Sequence, residues 1–285
     1  MAPKWYKSLS TFLRLKIALM NQSISPQIKF RKADFEFPQH IDKYWFENSP
    51  FKTHLLNSLT LLLPDLEQYI VRNVTRQIKQ INCPHLKQEV RSFISQEGQH
   101  SLQHTKFWDN LRSCGYEIDS YINWVRNSLF KALERRLNLN LNLAIIAGIE
   151  HLTTLVAEIA LEKEYMAATE PKLRQLFEWH ALEEIEHKSV AFDVLQSATN
   201  SYLVRIVGIL IANILVLWCL SFGVAMLLYQ DKKLLDKKVW QELSQFWFTQ
   251  EKFLFRAFLH LIEYLKKDFH PNQRNNLFLI EQVKG

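Results

Sequence analysis

The stretch Leu176-Phe-Glu-Trp-His-Ala-Leu-Glu-Glu-Ile-Glu-His-Lys-Ser-Val190 holds side chains that could bind a metal ion. On a helix His180, Glu184 and His187 stand at relative positions 0, +4 and +7, which at about 100° per residue places them within a band roughly 60° wide. Glu184 and His187 form a Glu-x-x-His pair, and a second pair, Glu97 and His100, lies upstream. Single carboxylates, Glu67 and Glu150, fall on the helical stretches that precede each pair. A solvated helix would account for one Glu-x-x-His, because acids and bases three apart often pair on exposed faces. It does not account for two of them in alternation with single glutamates. The chemistry that needs this set is a two-metal centre. Two cations a few ångströms apart require bridging carboxylates to offset their repulsion, and imidazoles then act as terminal ligands while positions stay open for O2 or substrate. Glu67, Glu97, Glu150 and Glu184 are the catalytic candidates, holding and bridging the metals.

Other side chains are placed to support such a centre. His104 shares the face of Glu97 and His100, and reads as a histidine behind a ligand ahead of an extra ligand. Gln96 and Glu183 each precede a candidate ligand, from where they can reach an imidazole on the opposite helix or simply line a helix flank. His151 follows Glu150 directly and points about 100° away from it. His270, in Asp268-Phe-His-Pro271, reads as a turn residue.

The elements that must position these residues are helices. Only six glycines occur, long segments are rich in Leu, Ile, Lys, Glu and Gln, and alternating strand patterns are missing. A first helical pattern starts at Phe51 and is expected to break at Pro64, which would open a new helix running to Gln80. A second spans about His85 to Arg112, stopped by Cys114-Gly115. Residues 116 to 138 form a crossover with a short helix of its own, a third long helix covers about Asn138 to Met166, and a fourth runs from Pro171 to about Ser197. The expected fold class is all-α, with a ferritin-like four-helix bundle over residues 51–200. A basic amphipathic helix and an extended leader occupy residues 1–50, a hydrophobic membrane-associated helix 201–230, and amphipathic helices rich in aromatic and basic residues 231–285.

From Leu203 to Tyr229 the only charge is Arg205, and the segment is long enough to span a bilayer. Lys232, Lys233, Lys237 and Lys238 favour a cytoplasmic position for its C-terminal flank. A cytoplasmic iron-type site favours the same side for its N-terminal flank, which one straight span cannot satisfy. Either the charge rule fails or the segment is embedded without crossing; a buried core helix is the alternative to both. The dimetal domain is expected on the cytoplasmic side of a membrane. Cys83, Cys114 and Cys219 are widely spaced and show no Cys-x-x-Cys, which points to a reducing compartment. The net charge of +6 is modest, and no basic stripe interleaved with aromatic residues lies on the bundle helices, which argues against nucleic acid. Glycine-rich phosphate loops and Gly-x-Ser-x-Gly elbows are missing.

The Glu-His pair at 150 and 151, the run from Trp179 to Asp193, and Asp268-Phe-His-Pro271 resemble the bacterial family labelled predicted metal-dependent hydrolases, over roughly residues 25 to 280. More distantly, the donor order resembles the diiron arylamine N-oxygenases, whose fourth helix carries an extra His four residues before its Glu-x-x-His. That likeness implies His180 as a seventh ligand beside Glu67, Glu97, His100, Glu150, Glu184 and His187.

These features lead to an O2-activating diiron oxygenase or oxidase acting on a hydrophobic or lipid-like substrate at a membrane, supplied by an electron donor. The expected cofactor is two metal ions, iron ahead of manganese or zinc, because the donors are nitrogen and oxygen with no thiolate. The alternatives are a two-metal hydrolase of an ester or phosphoester, and a membrane-anchored metal-binding protein without catalysis.

Overall fold

The computed structural model describes residues 28–284 except 29, 39, 163 and 164. The amphipathic helix expected near the N-terminus lies outside the described residues. Among those described, the fold is all-helical.

Helix α1 (Pro50–Gln77) opens with Pro50 in its first turn, and Ser49 Oγ accepts a hydrogen bond from the Lys52 amide. The break expected at Pro64 does not occur, and the helix runs through it; a 3-10 turn over Ile78–Gln80 follows. A proline has no N–H to offer the carbonyl four residues earlier, here that of Thr60. Trp108 Nε1, from α2 (Pro84–Ser113), supplies the missing donor at 3.1 Å, so the helix keeps its course. Helix α2 ends at Gly115, whose φ of +87° is the left-handed conformation that glycine adopts without steric cost.

The crossover holds α3 (Asp119–Asn123), a π-helical stretch over Trp124–Phe130 and α4 (Lys131–Arg136). Helix α5 (Leu139–Ala160) is capped by Asn138, whose side chain accepts from the Leu141 amide, and it stops earlier than the Met166 expected from sequence. The fourth helical stretch is divided into α6 (Pro171–His187) and α7 (Val190–Ala198). At the interruption the buried Lys188 turns its ammonium to the Arg274 carbonyl and the Asn276 side chain, 2.7 and 2.5 Å away. Helices α1, α2, α5 and α6 enclose a core that includes Leu62, Leu66, Tyr69, Phe93, Ile146 and Leu176.

Helix α8 (Tyr202–Gln230) packs along α5 and α1, and its buried residues Ala212, Cys219 and Leu227 join that core. Helices α9 (Lys237–Ser244), α10 (Phe253–Leu265) and α11 (Phe278–Lys284) complete the chain, with a π-helical turn at Gln245–Thr249. Among the described residues, two helices are long and apolar enough to cross a membrane by length and composition. In its most apolar window α5 is 78% buried and α8 39%, so α5 is a core helix and α8 keeps one side outside.

The α5–α8 contact is a backbone approach. A Cβ on Gly208 would lie 2.4 Å from the Ala144 carbonyl carbon, and one on Gly148 would lie 2.8 Å from Ile209 Cα. Gly98, on α2, faces open space. The same substitution should therefore have opposite signs at two sites. Gly208→Ala should destabilise the protein by about 1–3 kcal/mol, because backbone must move to admit the methyl group, while Gly98→Ala should stabilise it by about 0.5–1 kcal/mol. Thermal unfolding of the two variants measures this, and equal shifts would contradict the close approach.

Candidate metal centre

The bundle interior brings all seven donors together. Among the described residues, two groups, each with ligand atoms within 4.8 Å of one another, could hold a metal ion: Glu67, His100 and His180, and Glu97, Glu184 and His187. Glu150 stands beside the second, its Oε2 3.5 Å from His187 Nε2. Glu184 reaches both groups. Its Oε1 lies 2.9 Å from His180 Nε2 and 3.8 Å from His100 Nδ1, and its Oε2 lies 3.4 Å from His187 Nε2.

Each imidazole is oriented from behind. Gln96 Oε1 can only accept, so at 3.2 Å it fixes the hydrogen of His187 on Nδ1 and leaves Nε2 with a bare lone pair toward Glu97, Glu150 and Glu184. Glu183 Oε2 does the same for His100, accepting from Nε2 at 3.1 Å and freeing Nδ1 for the interior. His180 Nδ1 lies 2.8 Å from His104 Nε2, and His104 Nδ1 lies 3.2 Å from Thr60 Oγ1. With a cation at His180 Nε2, a proton on each Nδ1 satisfies this chain; without one, the reverse tautomers let His180 Nε2 donate to Glu184 Oε1 at 2.9 Å. His104, Gln96 and Glu183 thus face away from the cluster and hold its histidines. Glu183 is itself held by Gln96 and by Arg31, whose guanidinium also grips Glu186.

Several buried donor atoms have no partner in the protein: both oxygens of Glu67, Glu97 Oε1, Glu150 Oε2, His100 Nδ1 and His187 Nε2. Orphaned buried polar atoms are rare; others are scattered among the described residues, but these six converge on one point and all can offer a lone pair. The residues fit a pair of cations. Charge says the same. Burial pushes the Glu67 carboxyl well above its usual range, helped by Glu184. Burial, then Glu150 and Glu184, pushes up Glu97, and burial with Glu184 and Glu67 pushes up Glu150. His100 and His104 are driven well below the usual imidazole range by burial and then by His180. Burial opposes ionisation of Glu184 as well, but His187 and His180 outweigh it and hold that carboxyl well below its usual range.

The cluster adjoins an apolar cavity of about 610 Å³, whose wall includes His180, Glu184 and Thr153. Thr153 Oγ1 lies 2.6 Å from Glu184 Oε2 and donates to it. This contact escapes the sequence reading, although Thr153 stands three residues after Glu150, at a spacing that returns it to nearly the same helix face. Arg31 gives no such signal, because its extended leader is not part of a helix whose spacing would point it at Glu183. His151 is turned away from the cluster, with Nε2 2.8 Å from the His260 carbonyl. His270 pairs with Asp193 at 2.9 Å and accepts from the Asn272 amide, as a turn residue does.

A family profile described as "predicted metal-dependent hydrolase" matches residues 29–275. No curated protein and no solved structure matches the chain.

Three raised carboxyls and one lowered one set a pH dependence. Glu67, Glu97 and Glu150 bind protons more tightly folded than unfolded, so their contribution to stability is full below the ordinary carboxyl range and is lost as pH rises through their folded values. Glu184 acts the other way. His100 and His104, whose folded values are lowered, add stability at high pH that is lost as pH falls through the ordinary imidazole range, so the carboxyl part is read by difference. Metal-stripped Glu97→Gln should gain thermal stability over the parent chain at pH 8 and gain less at pH 5.5, because the amide cannot ionise. Metal ions, which bind the deprotonated carboxylates, should stabilise the parent chain more at pH 8 than at pH 5.5, and thermal unfolding of stripped and loaded protein at both values measures both differences.

Proposed function

The chain belongs to the predicted metal-dependent hydrolase family, and on that premise we propose that it is a two-metal hydrolase of an ester or phosphoester bearing a long apolar group. The observation that carries this is the junction of two three-donor groups with an apolar cavity at His180, Glu184 and Thr153. Glu67, His100 and His180 would hold one ion, Glu97, Glu184 and His187 the other, with Glu150 beside the second. Bound there, the ions would act as Lewis acids, polarising the scissile carbonyl or phosphoryl group and bringing the pKa of a water near neutrality.

The protein's own residues do the rest. Glu184 spans the two groups, and the hydroxyl of Thr153 fixes the plane of its carboxylate. Gln96, Glu183 and His104 keep the three imidazoles in the tautomer that faces the ions. The apolar cavity wall excludes water from everything but the reacting group and lays the substrate's chain in one direction, with its head at Glu184.

The order of readings drawn from sequence is thereby reversed, since the family description speaks for hydrolysis and not for O2 chemistry. Oxygen activation by a diiron pair, fed by an electron donor, stands second. The donor set favours it to that extent, because four carboxylates and three imidazoles without a thiolate suit iron or manganese as well as zinc.

Purified protein, reconstituted with iron, manganese or zinc, should hydrolyse p-nitrophenyl esters or phosphoesters faster as their alkyl chain lengthens. Activity should vanish in Glu97→Ala and Glu184→Ala, and Gln96→Ala should cost about 10–100-fold in metal affinity or activity. No hydrolysis at any chain length, together with an optical change when the reduced iron form meets O2, would replace the first reading with the second.

A further inference from the structure

We propose that α8, α9 and α10 form a face that docks in the plane of one membrane leaflet, and that the cavity takes its substrate's apolar chain directly from the bilayer. The second part rests on reading the cavity as the substrate site; the first does not.

Three adjacent elements leave large apolar side chains in the open on one side. On α8, Leu203, Leu210, Ile214, Leu217 and Trp218 follow a helical stripe, with Leu203 and Ile214 each 70% exposed. On α10, Leu254, Phe255, Phe258, Leu259 and Ile262 project outward, while His260 and Tyr264 are buried on the opposite side. Trp240 on α9 and Phe248 in the following turn are exposed too. Scattered exposed apolar residues need no partner, but a contiguous set of this size marks an interaction surface.

The packing speaks against α8 crossing the bilayer on its own. Gly208 lies against the Ala144 backbone and Gly223 against Ser58, so α8 cannot leave α5 and α1 without opening the core. A helix with one side locked into the bundle and the other apolar lies in the interface as a monotopic element. This also removes the conflict over which flank of α8 faces the cytoplasm, since both flanks stay on one side.

Charge selects the occupant. Lys232, Lys237, Lys252, Lys266 and Lys267 are exposed at the ends of α8, α9 and α10. Most acids of the same region are paired: Asp231 with Lys43 and His54, Asp236 with Lys233, Glu242 with Ser49 and Lys238, Glu251 with Lys52 and Glu263 with Arg274, which leaves the exposed Asp268 against five exposed lysines. A basic rim around an apolar face suits anionic lipid headgroups around acyl chains. A second copy would fit worse, because a two-fold contact through this face sets two lysine rims against each other. The cavity wall ties the face to the metal centre. Ile214, Leu217, Trp240, Leu254 and Phe258 belong to both the wall and the exposed face, so the path to Glu184 starts in the acyl layer.

The full chain should float with vesicles of phosphatidylcholine and phosphatidylglycerol in equal parts, and less with phosphatidylcholine alone. Lys237→Glu, Lys266→Glu and Lys267→Glu together should weaken binding to the mixed vesicles by about 100-fold at low salt. The Phe255→Asp/Ile262→Asp double variant alters exposed residues outside the cavity wall. It should lose flotation while keeping its thermal midpoint and metal content, and it should process a short soluble ester at the parent rate but lose activity on lipid in vesicles. No flotation of the parent chain, or a dimer in sedimentation that these substitutions dissolve without any vesicle binding, would overturn the proposal. Flotation with no ester hydrolysis would uphold the docking face and sink only the hydrolase reading.

Discussion

Mutual repulsion among buried carboxylates is the constraint on which this structure turns. Glu67, Glu97, Glu150 and Glu184 are all buried in one bundle interior, and the ligand atoms of each three-donor group lie within 4.8 Å. Two like charges about 4 Å apart cost about 4 kcal/mol at an effective dielectric of ~20, and no lysine or arginine reaches these four among the described residues. Protons or metal cations must neutralise them, and the orphaned lone pairs of Glu67, Glu97, Glu150, His100 and His187 say where the cations belong. Much of the surrounding architecture holds these groups in place against that repulsion.

The restraint is built in layers. Gln96, Glu183 and His104 fix the three histidines from outside, and Arg31 in turn anchors Glu183 and Glu186 from the leader. Helix α2 does two jobs, carrying Glu97, His100 and His104 and offering Trp108 to mend α1 where Pro64 interrupts its hydrogen bonding. That repair keeps Glu67, one turn beyond the proline, on the same straight helix as Thr60, which ends the His180–His104 chain. Thr153 completes the set from α5, donating to the carboxylate that faces both donor groups.

What the sequence made legible is what periodicity encodes. Two Glu-x-x-His pairs with two single glutamates, each at helical spacing, announce that a bundle will bring their faces together, and the uncharged run from Ile206 to Tyr229 announces a helix with a lipid-compatible surface. What it hid depends on contacts between elements. Pro64 reads as a stop signal because the rescue by Trp108 comes from another helix. The interruption after His187 is invisible because Lys188 finds its partners at Arg274 and Asn276. Arg31 lies in an extended leader whose alternate residues turn toward the bundle, but a cation in that row carries no mark of the acids it meets. Thr153 had a readable position, but one hydroxyl among many on a core helix carries no mark of its own.

The tight seat of Gly208 against Ala144 separates two kinds of information along the chain. Every donor lies between Glu67 and His187, whereas the helix that seals the groove between α1 and α5 comes afterwards, in Tyr202–Gln230. A nascent chain therefore holds its complete set of acids and imidazoles while those two apolar flanks are still bare. The order along the chain is thus ligands first and cover second, and the cover is seated by the close contact of Gly208 with Ala144.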